Sequence, residues 1–593
     1  MDAGNDAVAP PAEWLARVRA LEGRGELLAA YDVAQQGLAA HPEDLPLKHR
    51  AVLVLAKSGA TLRAREELER LGLVGHAEAD VAALEARLAK DAALAAPPEQ
   101  RRDLLVRAAD LYARIYRRGG GYYPGINVAT LRLLAGDTSM AEQVAAEILQ
   151  LCDAAQDDAF YVAATRAEAL LVLGRAAEAQ AALEAAAASS NDLAARATTR
   201  RQLRLVVAAR HIDDAVLAPL ASPTVITYTG HMIAPSGAAG RFAATSEAQV
   251  ARDIAAALER HGVGFGYGPL ASGSDILFAE ALLARGAELH VVLPFDRDEF
   301  KQMSVAPAGA AWLTRFDACF ARATSVTFAT DDRYLGHDHL FTYGSYVAMG
   351  LAVLRARYID APVRQIAVWD GAPAAGLAGT AIDVALWRAR GGVADVIPCG
   401  PSTGATVPTT GNRAPANPRQ LRAMLFGDVK GFSKLQEAQI PPFVEHVLGA
   451  FGRTLARYKA SVLYANTWGD GLFVVLDEAV AAAECALDLQ LAMDAIDLAA
   501  VGLPETLALR LGGHFGPVFE AEDPVQHVTN FFGAHVSRTA RIEPVTPPAE
   551  VYITEPFAAR LALGPGNFAS DYVGQVPAAK GYGTLRMYHL RRS

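Results

Sequence analysis

Cysteine is scarce in this chain: four in 593 residues, Cys152, Cys319, Cys399 and Cys485, none near another. Spacings this wide exclude the short cysteine pairs of a structural zinc site and offer no disulfide framework, so a reducing, cytoplasmic setting is expected. No uninterrupted apolar run reaches membrane-spanning length. The opening MDAGNDAVAPPAEW is acidic where a secretory signal would carry basic residues before an apolar stretch. No membrane association is expected. Positive charge is also in deficit, and a formal net charge of -10 gives a long-range field that repels nucleic acid and anionic lipid. What remains is a globular composition, 52% hydrophobic against 20% charged. A chain this long exceeds one core, and about three domains are the expectation.

Residues 1–215 read as helix after helix. A Gly-x4-Ala pattern recurs as Gly25/Ala30, Gly59/Ala64, Gly136/Ala141 and Gly174/Ala179, the first two pairs 34 residues apart and the last two 38. That spacing matches the tetratricopeptide period, in which small residues let paired helices approach closely. The stretch GGGYYPGINVATLRLLAGD also resembles the helical region described in other proteins as a TRAF-binding domain. An all-α repeat domain follows, serving either as a scaffold or as a docking site for a protein partner.

Between 222 and 400 the pattern changes to short β-rich runs alternating with helices: TVITYTG, ELHVVLPF, TSVTFAT, RQIAVWDG and ADVIPC. This alternation predicts an α/β domain with a doubly wound, Rossmann-like parallel sheet. Within GPLASGSDILFAEALLARGAELHVVLPF, Ser272, Gly273 and Ser274 are expected at a helix N-terminus, where free amides favour a small anionic ligand. This segment resembles the SLOG superfamily of nucleotide-binding domains, as does TGHMIAPSG. Asp275 and Glu280 are the candidates should this domain be an enzyme. Residues 401–419, rich in Pro, Gly, Thr and Ser, are expected to be a flexible linker.

From 420 to 593 the chain carries its clearest chemistry. In RAMLFGDVKGFSKL an apolar strand ends in Asp428 and passes Gly431 into a long amphipathic helix. A carboxylate at a strand end, followed by free amides, can hold a metal beside a polyphosphate. Next, SVLYANTW runs into GDGLFVVL, where Gly469-Asp470-Gly471 reads as a hairpin turn. If the first strand lies beside that hairpin, Asp428 and Asp470 converge although 42 positions apart, and two carboxylates together suit two Mg²⁺ ions. Each aspartate alone would be ordinary turn chemistry.

The ordered set FGDVKGFS, NTWGDG, LGGHFGPVF, NFFGAHVSRTARIEP and AAKGYGTLRMYHL resembles the class III adenylate/guanylate cyclase domain over its whole length. The resemblance implies an α+β ferredoxin-like fold and a homodimer with active sites at the interface. It implies two Mg²⁺ or Mn²⁺ per site on Asp428, Val429 and Asp470, and a phosphate-cradling turn of Val429, Lys430, Gly431, Phe432 and Ser433. Arg541 matches the arginine that stabilises pentavalent phosphorus, and Lys580 the lysine that holds the terminal phosphates. Ser537 stands where the family usually has a transition-state asparagine, and reaches less far. Asn466 and Asn530 stand at the two base-reading positions and match neither the Lys/Asp of adenine nor the Glu/Cys of guanine. The substrate is a nucleoside triphosphate whose base stays open: ATP, or UTP or CTP as in cyclases of antiphage signalling. The alternative is a catalytically weak module that binds nucleotide within an interaction platform. Residues 1–400 are expected to regulate.

Overall fold

The computed structural model describes residues 9–235, 240–336, 338–374, 376–400 and 419–593, which fall into two compact units. One comprises the chain to Ser222 with Arg357–Ala361, and the other Pro223–Ala356 with Pro362–Ser593.

The first unit is helical: α1 (Pro11–Gly23), α2 (Leu27–Ala40), α3 (Leu45–Ser58), α4 (Thr61–Arg70), α5 (Ala79–Ala95), α6 (Pro98–Arg117), α7 (Tyr122–Leu134), α8 (Thr138–Ala154), α9 (Ala159–Val172), α10 (Ala176–Ser189) and α11 (Leu193–Arg210). The four repeat glycines close the turns between α1/α2, α3/α4, α7/α8 and α9/α10. There Gly25, Gly59, Gly136 and Gly174 take φ of 73°, 92°, 88° and 76°, a conformation an L side chain resists. Their partners Ala30, Ala64, Ala141 and Ala179 are wholly buried, as close helix pairing requires. The α5/α6 pair breaks the pattern because Pro97 and Pro98 make its turn instead.

The second unit begins with a parallel sheet of β1 (Thr224–Gly230), β2 (Val263–Gly268), β3 (Glu288–Leu293), β4 (Ser325–Phe328), β5 (Val363–Val368) and β6 (Ala394–Ile397), ordered β4-β3-β2-β1-β5-β6. Its helices are α12 (Glu247–Arg260), α13 (Ser274–Ala284), α14 (Arg297–Ser304), α15 (Ala310–Arg322), α16 (His339–Tyr358) and α17 (Thr380–Ala389). Strand β2, VGFGYG, is absent from the five strands read from sequence, because its three glycines hide the β signal. They serve packing: a β-carbon on Gly266 or Gly268 would overlap Leu282 or the Tyr228 ring.

An eight-stranded sheet follows: β7 (Arg419–Lys430), β8 (Val462–Trp468), β9 (Gly471–Leu476), β10 (Ala508–Asp523), β11 (Val528–Phe532), β12 (Val551–Thr554), β13 (Phe568–Pro577) and β14 (Thr584–Arg592). The order is β13-β14-β12-β10-β7-β9-β8, with β11 paired to β10. Helices α18 (Ile440–Pro442), α19 (Gly449–Arg457), α20 (Ala479–Asp494), α21 (Ala534–Ile542) and α22 (Glu555–Ala562) complete it. The long helix expected after Gly431 is instead broken into 3-10 turns, α18, a π-helical turn at Phe443–Leu448 and α19. Pro441 and Pro442 remove two backbone donors at its start.

Residues 401–418 of the expected linker lie outside the described residues, and Arg419 already belongs to β7, paired with Phe519. The two sheet domains are in direct contact: α16 lies so close to α22 that Gly350 has no room for a β-carbon against Ala559, and the Tyr343 hydroxyl donates to Phe515 O at 3.0 Å. No helix among the described residues is long and apolar enough to cross a membrane, and all four cysteines are buried thiols.

Candidate active site

Strand β7 sits between β10 and β9, so the end of β7 and the β8–β9 turn share one edge of the sheet. Trp468 pairs with Gly471, leaving Gly469 and Asp470 as a two-residue turn, and the first position takes φ of 69°, which suits glycine. Phe432, just after β7, lies against Gly469 and rests on Phe443 with ring centroids 4.8 Å apart. This geometry brings Asp428 and Asp470 into a shared hydrogen bond, as their placement on strand and hairpin predicts.

Two residues that sequence reasoning missed complete the cluster. Arg510 of β10 is directly cross-strand from Asp428 and donates to it at 2.7 Å and 3.2 Å, and its Nε stands 2.6 Å from the Glu543 carboxylate. Burial raises Asp428, but the hydrogen bonds from Asp470 and Arg510 outweigh it and hold Asp428 below the usual range. Asp470 keeps the proton, pushed up to about 7 by burial and then by Asp428. Glu543 is likewise pushed up to about 7 by burial, with Asp428 and Asp470 opposing the relief from Arg510. Asp428 and Asp470 share a hydrogen bond at one end of the sheet and offer carboxylate oxygens, the donor type a hard divalent cation takes.

The remaining predicted residues form two further groups. Lys430 is exposed, and Val429 is buried in the β7–β10 ladder. Past Gly431 (φ 96°), the amides of Lys434 and Leu435 close the 3-10 turn, whereas those of Phe432 and Ser433 have no backbone acceptor among the described residues. On α21, His535, Thr539 and Ile542 are buried, while Ser537 and Arg541, four apart, share the outward face. Lys580 is exposed at φ 59° in the β13–β14 turn, which packs beside α21, with Arg538 5.8 Å from the Tyr582 ring. Among the described residues, no hydrogen bond or ion pair joins Ser537, Arg541 or Lys580 to Asp428 or Asp470.

Asn466 lies on edge strand β8, on the same face as Tyr464, whose hydroxyl reaches Gln526 in the β10–β11 turn at 3.3 Å. Asn530 spends its amide locally, donating to Asp523 at 3.1 Å and accepting from its neighbour's Phe531 amide at 2.7 Å.

In the middle domain Gly273 caps α13, and two of the amides expected to face an anion are engaged by the protein itself. The Ser272 amide donates to Ser304 O, and the Ser274 amide and hydroxyl both donate to His231 O. Asp275 is buried and pushed up to about 8 by desolvation, and Glu280 is held by Arg315 at 2.6 and 2.7 Å.

Residues 415–592 match the model of the adenylate and guanylate cyclase catalytic domain. The C-terminal part of the chain is a nucleotide cyclase domain. Residues 26–132 match the Tetratricopeptide Repeats-Sensor family, in agreement with the repeat spacing. The cyclase domain is similar in structure to the adenylyl cyclase CyaB from P. aeruginosa: 17% identity over 30% of this chain and 96% of that one, TM-score 0.27. The guanylate cyclase domain of RhGC from Catenaria anguillulae in complex with GTP is 19% identical over 29% and 97%, TM-score 0.26. Adenylate cyclases from Trypanosoma brucei in their monomeric state give 20% over 29% and 89%, TM-score 0.25. No curated protein matches this chain. Within the cyclase domain, Arg510 had a readable signal only as a charge just before the LGGHF motif and Glu543 as one inside ARIEP; their meeting with Asp428 depends on strand register.

Proposed function

We propose that the cyclase domain closes a nucleoside triphosphate into its 3′,5′-cyclic monophosphate and releases pyrophosphate, under regulation by the two domains before it. The observation that carries this reading is the meeting of Asp428 and Asp470 around one shared proton in a domain that matches the cyclase model. Asp428, Asp470 and the Val429 carbonyl are the proposed holders of two Mg²⁺ or Mn²⁺ ions, which when bound supply phosphate neutralisation and a more acidic ribose 3′-hydroxyl. The protein's own groups orient the substrate. Lys430, Gly431 and the amides of Phe432 and Ser433 cradle phosphate, Lys580 holds the leaving end, Arg541 meets the charge developing at the α-phosphorus, and Ser537 donates one hydrogen bond to it.

A homodimer completes the site in this reading, with the carboxylates of one chain facing the α21 residues of its partner. Exposed apolar side chains on β8 and β11 support it: Trp468, Val528 and Phe532 are 53%, 45% and 41% exposed. Asn466, whose side-chain amide has no hydrogen bond among the described residues, is the proposed principal reader of the base. Asn530, occupied by Asp523 and Phe531, contributes less. An amide neither demands adenine nor excludes a pyrimidine, so ATP, UTP and CTP are the substrates to compare.

The test is incubation of the full chain with each of the four ribonucleoside triphosphates and Mg²⁺ or Mn²⁺, with products identified by mass. A cyclic monophosphate and stoichiometric pyrophosphate are expected. Folded protein that yields no cyclic product from any of the four would overturn the proposal. Asn466→Lys with Asn530→Asp should move the preference toward ATP, and unchanged relative rates would place base reading elsewhere.

A further inference from the structure

Helix α21 carries Ser537 and Arg541 on its outward face, and its inward face is gripped by a segment of the middle domain. After β4 the chain runs through Ala329–Arg333 and makes polar contacts with the cyclase domain, among them the Asp332 carboxylate 3.7 Å from His535 Nε2. Thr330 Oγ1 lies 2.9 Å from His535 Nε2, and Asp331 accepts from Arg538 at 3.0 Å. Asp332 pairs with Arg419 at 3.4 Å, and Arg333 O accepts from the same guanidinium at 3.0 Å. Tyr343 sets its ring edge-on to His535, with centroids 5.8 Å apart.

The contact at His535 continues inward. His535 Nδ1 is 2.7 Å from His514 Nε2, and His514 Nδ1 is 2.7 Å from Thr554 Oγ1. Thr330, His535, His514 and Thr554 are each at most 2% exposed. Burial first, then nearby positive charge, keeps both imidazoles well below their ordinary pKa and therefore neutral. A neutral imidazole has one donor and one acceptor, so the four groups form a directional chain. The Asp332 amide donates to Thr330 Oγ1 at 3.0 Å. With Thr330 then donating to His535, His535 donates to His514 and His514 to Thr554, and every buried nitrogen is satisfied. Without the Thr330 hydroxyl, His535 Nε2 loses its hydrogen bond, because the Asp332 carboxylate stands 3.7 Å away and has no proton to donate to it, at a cost of about 1–3 kcal/mol.

We propose that the loop Ala329–Arg333 of the middle domain is a positioning element of the cyclase site, holding α21 through His535 and Arg538 so that Ser537 and Arg541 stand where the reaction needs them. The inference rests on the roles proposed above for Ser537 and Arg541. Helix α21 has only nine residues, so a turn about its axis that frees His535 and Arg538 carries Ser537 and Arg541 with it. Displacement of a reacting group by an ångström is enough to cost on the order of 100-fold in rate.

The test uses the full chain. Thr330→Val removes the hydroxyl at nearly constant volume and should lower kcat about tenfold or more while KM for the triphosphate and the Mg²⁺ requirement stay within about twofold. Thr330→Ser should restore kcat. Because Thr330→Val alone could act by unfolding, a second pair tests the outer contact, where the Asp331 side chain is 89% exposed. Asp331→Arg and Arg538→Asp should each lower kcat, and the double exchange should recover most of the loss. Wild-type kcat in both Thr330→Val and Asp331→Arg would overturn the inference, as would a double exchange no better than its worse parent. In those outcomes an active wild-type chain leaves the proposed function standing. A wild-type chain that cyclises nothing overturns both.

Discussion

At Asp470 a single shared proton sets the pH behaviour of the metal-free site. Asp470 and Glu543 both stand at about 7, above the ordinary carboxylate range, so the folded chain keeps protons there that the unfolded chain has already lost. A raised carboxylate contributes stability below its unfolded pKa and loses it as pH rises through the folded value. In the presence of chelator, the melting temperature of the cyclase domain should therefore fall between the ordinary carboxylate range and about pH 7, and Glu543→Gln should flatten that fall. A pH profile by calorimetry checks both. Arg510 opposes the same surplus charge from across the ladder, so Arg510→Ala should destabilise the metal-free domain, with Mg²⁺ recovering part of the loss. Asp428→Asn and Asp470→Asn should each abolish product formation; Asp470→Asn should leave the melting temperature at or above that of the parent, since it removes a carboxylate held above its ordinary range, whereas Asp428→Asn takes the ionised partner from Arg510 and should lower it. Product assays and thermal melts on the same preparations separate these effects.

Elements place these residues through turns and faces. The β8–β9 hairpin holds Asp470 in position only because Gly469 accepts φ of 69°. Gly469→Ala should cost about 1 kcal/mol of stability and lower turnover more than it lowers stability, because the displaced turn moves Asp470 from Asp428. On α21 the outward face admits a longer side chain at position 537, and Ser537→Asn should raise kcat by extending the donor toward the phosphate. Steady-state kinetics decide it, and an unchanged or lower kcat would deny Ser537 the role proposed for it. In the helical repeats the same logic is steric: Ala141→Leu, at a wholly buried site, should cost about 1–3 kcal/mol by overpacking, read as a lower denaturation midpoint.

For the whole molecule, the middle domain and cyclase domain share one compact unit, so a chain beginning at Pro415 would uncover His535, Phe515 and Arg419, which are buried in the full chain. Such a chain should melt lower and turn over more slowly than the parent. The proposed dimer has its own test. Asp428→Ala and Arg541→Ala chains should be inactive alone; mixed and allowed to exchange, about half of the dimers carry one intact site, and activity should return to roughly a quarter of wild type. No recovery after verified exchange would place the site within one chain.

The local pieces were legible in the order of the amino acids alone. Glycine at positive φ followed five residues later by a buried alanine marked the paired helices, alternating apolar runs marked five of six middle strands, and Gly-Asp-Gly marked the hairpin that carries Asp470. These signals are short-range, set by backbone sterics and by which face each residue turns to the core. Tertiary structure decided what no local pattern carries. Arg510 and Glu543 reach Asp428 only through the β7–β10 register and the turn after α21. The Ser272 and Ser274 amides that looked free are spent on Ser304 and His231. Thr330 and His535, 205 positions apart with the linker between them, meet because a buried imidazole must find a partner and packing brings the Thr330 hydroxyl from the neighbouring domain.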